Sequence, residues 1–210
     1  MKKKSVTELG HPENPHGNAG FEMLKGMNEH HSPVTEWALG FFNILPRNIV
    51  LDIGCGGGAA IKKIADTTDA EVIYGIDHSD VSVELSTTNN QSYIKCGKVK
   101  ISKNNVEALS FENEKFDRII TVESFYFWPD PVKCLKEVYR VLKKGGKFLI
   151  VADIHGDAKL DKKDIEGIRK FNLFNPTLAE FKSLLETAGF DNVIIHTKYG
   201  EKWVCAEGNK

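Results

Sequence analysis

Between residues 49 and 153 the chain alternates short apolar runs with longer stretches of helical periodicity, which limits the fold more than any single motif does. IVLDI (49–53), EVIYGID (71–77), KVKIS (98–102), FDRIITV (116–122) and KFLIVAD (147–153) have the length and β-branched content of strands. Between them, 58–67 reads as a helix, Ser79 caps a second running into the mid-90s, and Asp130-Pro131 opens a third. The second is weakened by the Ser, Thr and Asn residues from Ser86 to Ser92. The third turns Val132, Leu135, Val138 and Leu142 inward and stops at Lys143-Lys144-Gly145-Gly146. Strands joined through helices form right-handed crossovers and a parallel sheet covered on both faces. The ending differs. Thr177 to Glu180 is a capping box, Gly189 ends its helix, and NVIIHTK (192–198) and KWVCAEG (202–208) follow closely enough to require an antiparallel hairpin. The expected fold is α/β, a Rossmann-like seven-stranded mixed sheet with a C-terminal antiparallel hairpin and an N-terminal helical cap.

The cap is expected from two segments. Residues 18–30 place Phe21, Leu24 and Met27 at helical spacing. Ser32-Pro33 reads as an N-cap and first-turn proline, opening a helix to about Asn43 that Pro46 closes off. The division expected is 1–45 as cap and 46–210 as one compact domain, with the charged insertion 154–176 over the active site. The 28 basic and 29 acidic side chains leave a net charge of −1, so no global field favours nucleic acid. The basic N-terminus lacks the apolar core of a secretory signal, and no window approaches the ~20 apolar residues of a membrane span. Cys55, Cys96, Cys134 and Cys205 lie far apart, which argues against a disulfide framework or a structural zinc. The chain is expected in the cytoplasm as a monomer or homodimer, with a small molecule as its partner and no metal.

LDIGCGGGA (51–59) sits where the first strand meets its helix. Gly54-x-Gly56-x-x-Ala59 lets a ligand approach bare backbone at a helix N-terminus. A phosphate loop of the Walker type fails, because no Gly-Lys-Ser/Thr follows. Asp77 ends the second strand about 20 residues on, where a carboxylate accepts ribose hydroxyl protons. Both an NAD ribose and an adenosyl ribose satisfy that geometry. Asp52 tilts the balance. A carboxylate buried beside the loop would repel a pyrophosphate and attract an ammonium, so charge sign favours S-adenosylmethionine.

VLDIGCGGG (50–58) closely resembles motif I of the class I S-adenosylmethionine-dependent methyltransferases, and Asp77 matches their strand-two ribose acid. The resemblance runs on through NNVEALSFENEKFDRIITVESFYFWPDPVKCLKEVYRVLKKGGKFLIVAD (104–153), and it is similar to the small-molecule subgroup that includes quinone-biosynthesis enzymes. It implies a cofactor held by Asp52, Gly54, Cys55, Gly56 and Asp77. The family often has Asp where this chain has Asn105, whose carbonyl can still accept the adenine amino proton while Val106 packs on the base. His78 either lies along the adenine or faces solvent.

An acceptor belongs beyond the strand ends, where TVESFYFWPDP (121–131) places four consecutive aromatics. Tyr126 and Trp128 are assigned to the substrate pocket together with His155. Methyl transfer demands alignment and water exclusion, with a general base only when the acceptor must lose a tightly held proton. Glu123, beside the cofactor, and His31 are the catalytic candidates by position. Two rival readings remain: a non-catalytic S-adenosylmethionine-binding module, and an NAD(P)-dependent oxidoreductase, which Asp52 and the hairpin disfavour.

Overall fold

The structure is a computed structural model that describes residues 5–210. Three helices precede the sheet: α1 (Val6–Gly10), α2 (Gly17–His30) and α3 (Ser32–Leu39). β1 (Ile49–Ile53), α4 (Ala59–Thr67), β2 (Val72–Asp77), α5 (Asp80–Asn89), α6 (Gln91–Lys95), β3 (Val99–Lys103) and β4 (Phe116–Val122) follow. α7 (Pro131–Val141), β5 (Leu142–Ala152), α8 (Lys162–Phe171), α9 (Leu178–Ala188), β6 (Asp191–Thr197) and β7 (Val204–Asn209) complete the chain. The seven strands lie in the order β3-β2-β1-β4-β5-β7-β6. β1 to β5 pair in parallel, whereas β7 is antiparallel to both β5 and β6. The expected mixed sheet and terminal hairpin are therefore both present.

Strand alternation sends side chains to two cores. Leu51 and Ile53 pack with Leu135 and Val138 of α7 and Phe181 and Leu185 of α9. Val50 and Ile73 pack on the opposite face with Val34 and Ala38 of α3 and Ile61 and Ile64 of α4. Asp52 follows Val50 onto that second face, in a place where a strand this deep ordinarily carries an apolar residue.

Three local expectations shift for identifiable reasons. Ser32 is the first residue of α3 and makes no side-chain cap, because α2 runs to His30 and leaves His31 as the junction. α3 then tightens through Phe41 N–H to Ala38 and Phe42 N–H to Leu39 bonds, and Asn43 turns left-handed. The helix after Ser79 breaks at Asn90, whose buried side chain donates to Gly58 O at 3.1 Å and Ser86 O at 2.9 Å. The α7 helix ends at Val141, and Leu142 already pairs with Phe116 as the start of β5.

Among the described residues no helix is long and apolar enough to cross a membrane. All four cysteines are free thiols; Cys96 is exposed and the others are buried.

Candidate active site

The carboxyl ends of β1, β2 and β4 open into a cavity of about 370 Å³, roofed by α2, α3 and the segment before them. Gly54 leaves β1 at φ 71°, and a Cβ there would stand 2.3 Å from Ser124 Oγ. Only glycine combines that left-handed backbone with that clearance. The turn is fixed from below: Gly54 N–H and Cys55 N–H both donate to Ile76 O, while Thr121 Oγ1 and Ser124 Oγ donate to Ile53 O. From the side, Asn89 donates to Gly57 O at 2.8 Å and Asn90 to Gly58 O. The polar stretch that weakened this helix in sequence thus ties down the glycine loop. α4 starts at Ala59 without a side-chain cap, so its first N–H groups remain available at the cavity.

Asp77 is buried at the tip of β2, where one carboxylate oxygen accepts from Gly56 N–H at 3.0 Å and the other from Ser79 N–H at 2.9 Å. Each oxygen keeps a second lone pair for a ligand hydroxyl. Asp52 is only 1 % exposed and faces the cavity with its Oδ1 lacking any hydrogen-bond partner. Burial, reinforced by the charge of Asp77, pushes its carboxyl up to about 7. Cys55 lines the same loop, its thiol held well above its ordinary range by burial and therefore un-ionised. A buried, unpartnered acid next to a glycine cradle fits the amino-acid end of S-adenosylmethionine, and Asp77 fits its ribose.

His78, Asn105 and Val106 form the rim on the β2–β3 side. The His78 side chain is half-exposed, with Nδ1 3.8 Å from Asp77 Oδ1. Asn105 Oδ1 accepts from Glu107 N–H at 3.0 Å, which keeps one lone pair for an adenine amino group.

At the other end stands Glu123, a non-glycine residue at φ 55° whose side chain is 5 % exposed. Its Oε1 accepts from Asp153 N–H and its Oε2 from Tyr126 O–H, both at 2.5 Å. Burial first, and Asp153 second, holds the Glu123 carboxyl well above the usual range. His31 Nε2 lies 3.8 Å from Glu123 Oε2, and burial lowers this imidazole to about 4, so it is neutral at pH 7.

The four aromatics after Ser124 divide their work. Phe125 is buried against Trp128 and Phe181, and Tyr126 turns away from the cavity to bond Glu123. Phe127 and Trp128 form the cavity wall. Of the residues expected in the substrate pocket, Trp128 lines the cavity, Tyr126 bonds Glu123 outside that lining, and His155 lies elsewhere. His155 lies buried in a separate hollow with Asp157, Lys198 and Lys202, beneath the β6–β7 turn. The insertion 154–176 contributes no residue to the main cavity; Phe174 instead bonds and packs behind Phe125 and Tyr126.

Sequence reasoning missed the roof before α2. Pro12, Glu13 and Pro15 line the cavity, and Ser79 Oγ donates to Pro15 O, tying this segment to the start of α5. Asn28 from α2 also closes on the loop; a Cβ on Gly57 would stand 2.3 Å from its Nδ2. The clue was the pair of prolines in HPENPHG, which stiffens the segment but says nothing about where it docks.

With this geometry in view, comparisons with known proteins are informative. Residues 51–150 match the family model described as "Methyltransferase domain". The rice 2-methyl-6-phytyl-1,4-hydroquinone methyltransferase 1 is 29% identical over 154 residues, covering 73% of this chain and 44% of that protein. An uncharacterized Bacillus subtilis methyltransferase, YdaC, is 26% identical over 180 residues, covering 84% of this chain and 91% of that one. The chain therefore spans less than half of the plant relative and most of the bacterial one. Among solved structures, a SAM-dependent methyltransferase from Aquifex aeolicus superposes with a TM-score of 0.70 at 17% identity, covering 90% of this chain and 97% of that one. Phosphoethanolamine N-methyltransferase 2 of Haemonchus contortus, solved with S-adenosyl-L-methionine, gives 0.74 at 17% identity, covering 85% and 52%. At such identities these two show the fold alone. The glycine loop and sheet order are those of the fold these S-adenosylmethionine-dependent methyltransferases share, and residues 51–150 carry the match to the methyltransferase-domain model.

Proposed function

We propose that the chain binds S-adenosylmethionine in this cavity and transfers its methyl group to a small-molecule acceptor in the cytoplasm. The observation that carries the reading is Asp52, a carboxylate oxygen buried without a partner beside a glycine cradle. Bound there, S-adenosylmethionine supplies an electrophilic methyl carbon on a positively charged sulfur. Asp52 receives the ligand ammonium, Asp77 the ribose hydroxyls, and Asn105 with Val106 and His78 borders the adenine. Gly54 and Gly56 let the chain close on the ligand without a side chain intervening, and Cys55 between them lines the cavity.

The acceptor sits at the Glu123 end, against Phe127 and Trp128. In-line transfer needs alignment and a dry site, and the roof of α2, α3 and residues 12–15 provides both. Glu123 is the proton-accepting candidate by position, since it lines the acceptor end of the cavity. Tyr126 and Asp153 hold it in position. His31 presents a neutral Nε2 to the same space. The hydroquinone methyltransferase among its relatives favours an acceptor with a hydroxylated ring.

Calorimetry with S-adenosylmethionine and S-adenosylhomocysteine tests the reading. Both should bind the wild type, and Asp77→Ala should weaken them at least tenfold while leaving the fold intact. A panel of phenols, hydroquinones and amines with methyl-labelled S-adenosylmethionine then reads out transfer. Absence of binding by either ligand sinks the proposal.

A further inference from the structure

Beside His31, which lines the acceptor end of the cavity, stand further side chains with unused ligating capacity. His30, His31 and Asp153 each present one ligand atom, and these atoms lie within 4.8 Å of one another. His30 Nε2 is 3.7 Å from Asp153 Oδ2. Ligand atoms around a tetrahedral ion with bonds near 2 Å stand roughly 3.0–3.5 Å apart, so small side-chain rotations would close the group on a metal.

Two further observations point to a cation. Successive residues of one helix diverge by about 100°, yet here the two rings meet edge to face at 5.2 Å. The meeting depends on the junction at His31 (φ −86°, ψ −1°), where α2 stops and α3 begins. Next, the carboxyl groups of Asp153 and Glu123 have no lysine or arginine partner among the described residues; their ionic neighbours are His30 and His31, at 3.7 and 3.8 Å. Two carboxyl groups this close, with imidazoles as their ionic neighbours among the described residues, suit a bound cation.

We propose that His30, His31 and Asp153 form a divalent-cation site at the rim of the acceptor cavity, and that the acceptor reaches the ion through an oxygen or nitrogen lone pair. Two imidazoles and a carboxylate suit zinc, cobalt, nickel or manganese, and three protein ligands leave coordination positions open toward the cavity. With His31 engaged by the ion, Glu123 remains the group beside the acceptor. The acceptor's role at the site rests on the methyl-transfer reading; uptake of the ion does not.

The test uses the untagged, metal-stripped full chain titrated with Co(II), read by calorimetry and by visible absorption, with S-adenosylhomocysteine titrated in parallel. One Co(II) should bind per chain. His30→Ala and Asp153→Asn should each weaken uptake at least about tenfold, the scale already seen when a group supporting a ligand is lost. Both should bind S-adenosylhomocysteine like the wild type. His30 is 70% exposed, so its truncation leaves the fold intact. No saturable uptake by the wild type, or uptake unchanged in both variants, overturns the site. Cobalt uptake that persists when S-adenosylhomocysteine fails to bind upholds the cation site and overturns the cofactor reading alone.

Discussion

Asp52 should make cofactor affinity depend on pH across neutrality. Its carboxyl is pushed up to about 7 in the ligand-free protein, so near pH 7 about half the molecules carry it protonated. A ligand ammonium favours the ionised form and lowers that pKa, so binding releases a proton. Affinity must then rise with pH through the interval just below and around 7, and level off above it. The ionised fraction at a pKa of 7 falls from about 0.9 at pH 8 to about 0.1 at pH 6. The dissociation constant should therefore rise about tenfold between those two values, equivalent to about 1.4 kcal/mol. S-adenosylhomocysteine is the better ligand for the measurement, because it keeps the ammonium and lacks the sulfonium, whose charge would add a second pH-sensitive contact. Calorimetry at pH 6, 7 and 8 in two buffers of different ionisation enthalpy counts the protons released. Asp52→Asn should bind more weakly at pH 8 and lose most of the dependence. A wild-type dissociation constant equal at pH 6 and pH 8, with no proton release, would refute the assignment of Asp52 to the ammonium.

The same residue should cost stability in the absence of ligand. Its folded pKa, about 7, exceeds the ordinary 3.8, so the penalty is absent below about pH 4, grows as pH rises toward 7 and is complete above it. Asp52→Asn should raise the melting temperature of the ligand-free protein at pH 8 by more than at pH 5, with an upper bound of about 4 kcal/mol. Gly54→Ala forces a Cβ against Ser124 at a left-handed backbone position, and should lose about 1–2 kcal/mol from the backbone alone, seen in chemical denaturation, together with most cofactor affinity. Asn90→Ala leaves the carbonyl of Gly58 without its side-chain donor, and should cost about 1–3 kcal/mol while weakening S-adenosylhomocysteine binding in the same titration.

Most of the architecture was legible because it is written in local patterns. Apolar runs of strand length, separated by capped helices, force parallel crossovers, and a three-residue connection at 199–201 forces the closing hairpin. Element ends were less so. The polar run from Ser86 to Ser92 weakens the helix without marking Asn90 as its break, since Asn90 also bonds Gly58 far along the chain. The positions proposed for the cofactor were readable for the same cause as the fold: Asp52, Gly54 and Asp77 stand at strand ends that periodicity locates. The acceptor half was not. Tyr126 and Phe127 are adjacent in a short 3-10 turn, and only the fold decides that the first turns inward to Glu123 and the second outward to the cavity. His155 was expected in the substrate pocket, but the loop after β5 carries it to a different hollow. The prolines at 12 and 15 roof the site through a single bond to Ser79, a contact with no signature in sequence spacing.

The most direct test of the account is a crystal structure of the chain grown with S-adenosylhomocysteine. The account predicts both ribose hydroxyls within hydrogen-bonding distance of Asp77, the adenine beside Asn105 and Val106, and the ammonium against Asp52 Oδ1. A ligand bound anywhere else, or one whose carboxylate rather than its ammonium approaches Asp52, would contradict it.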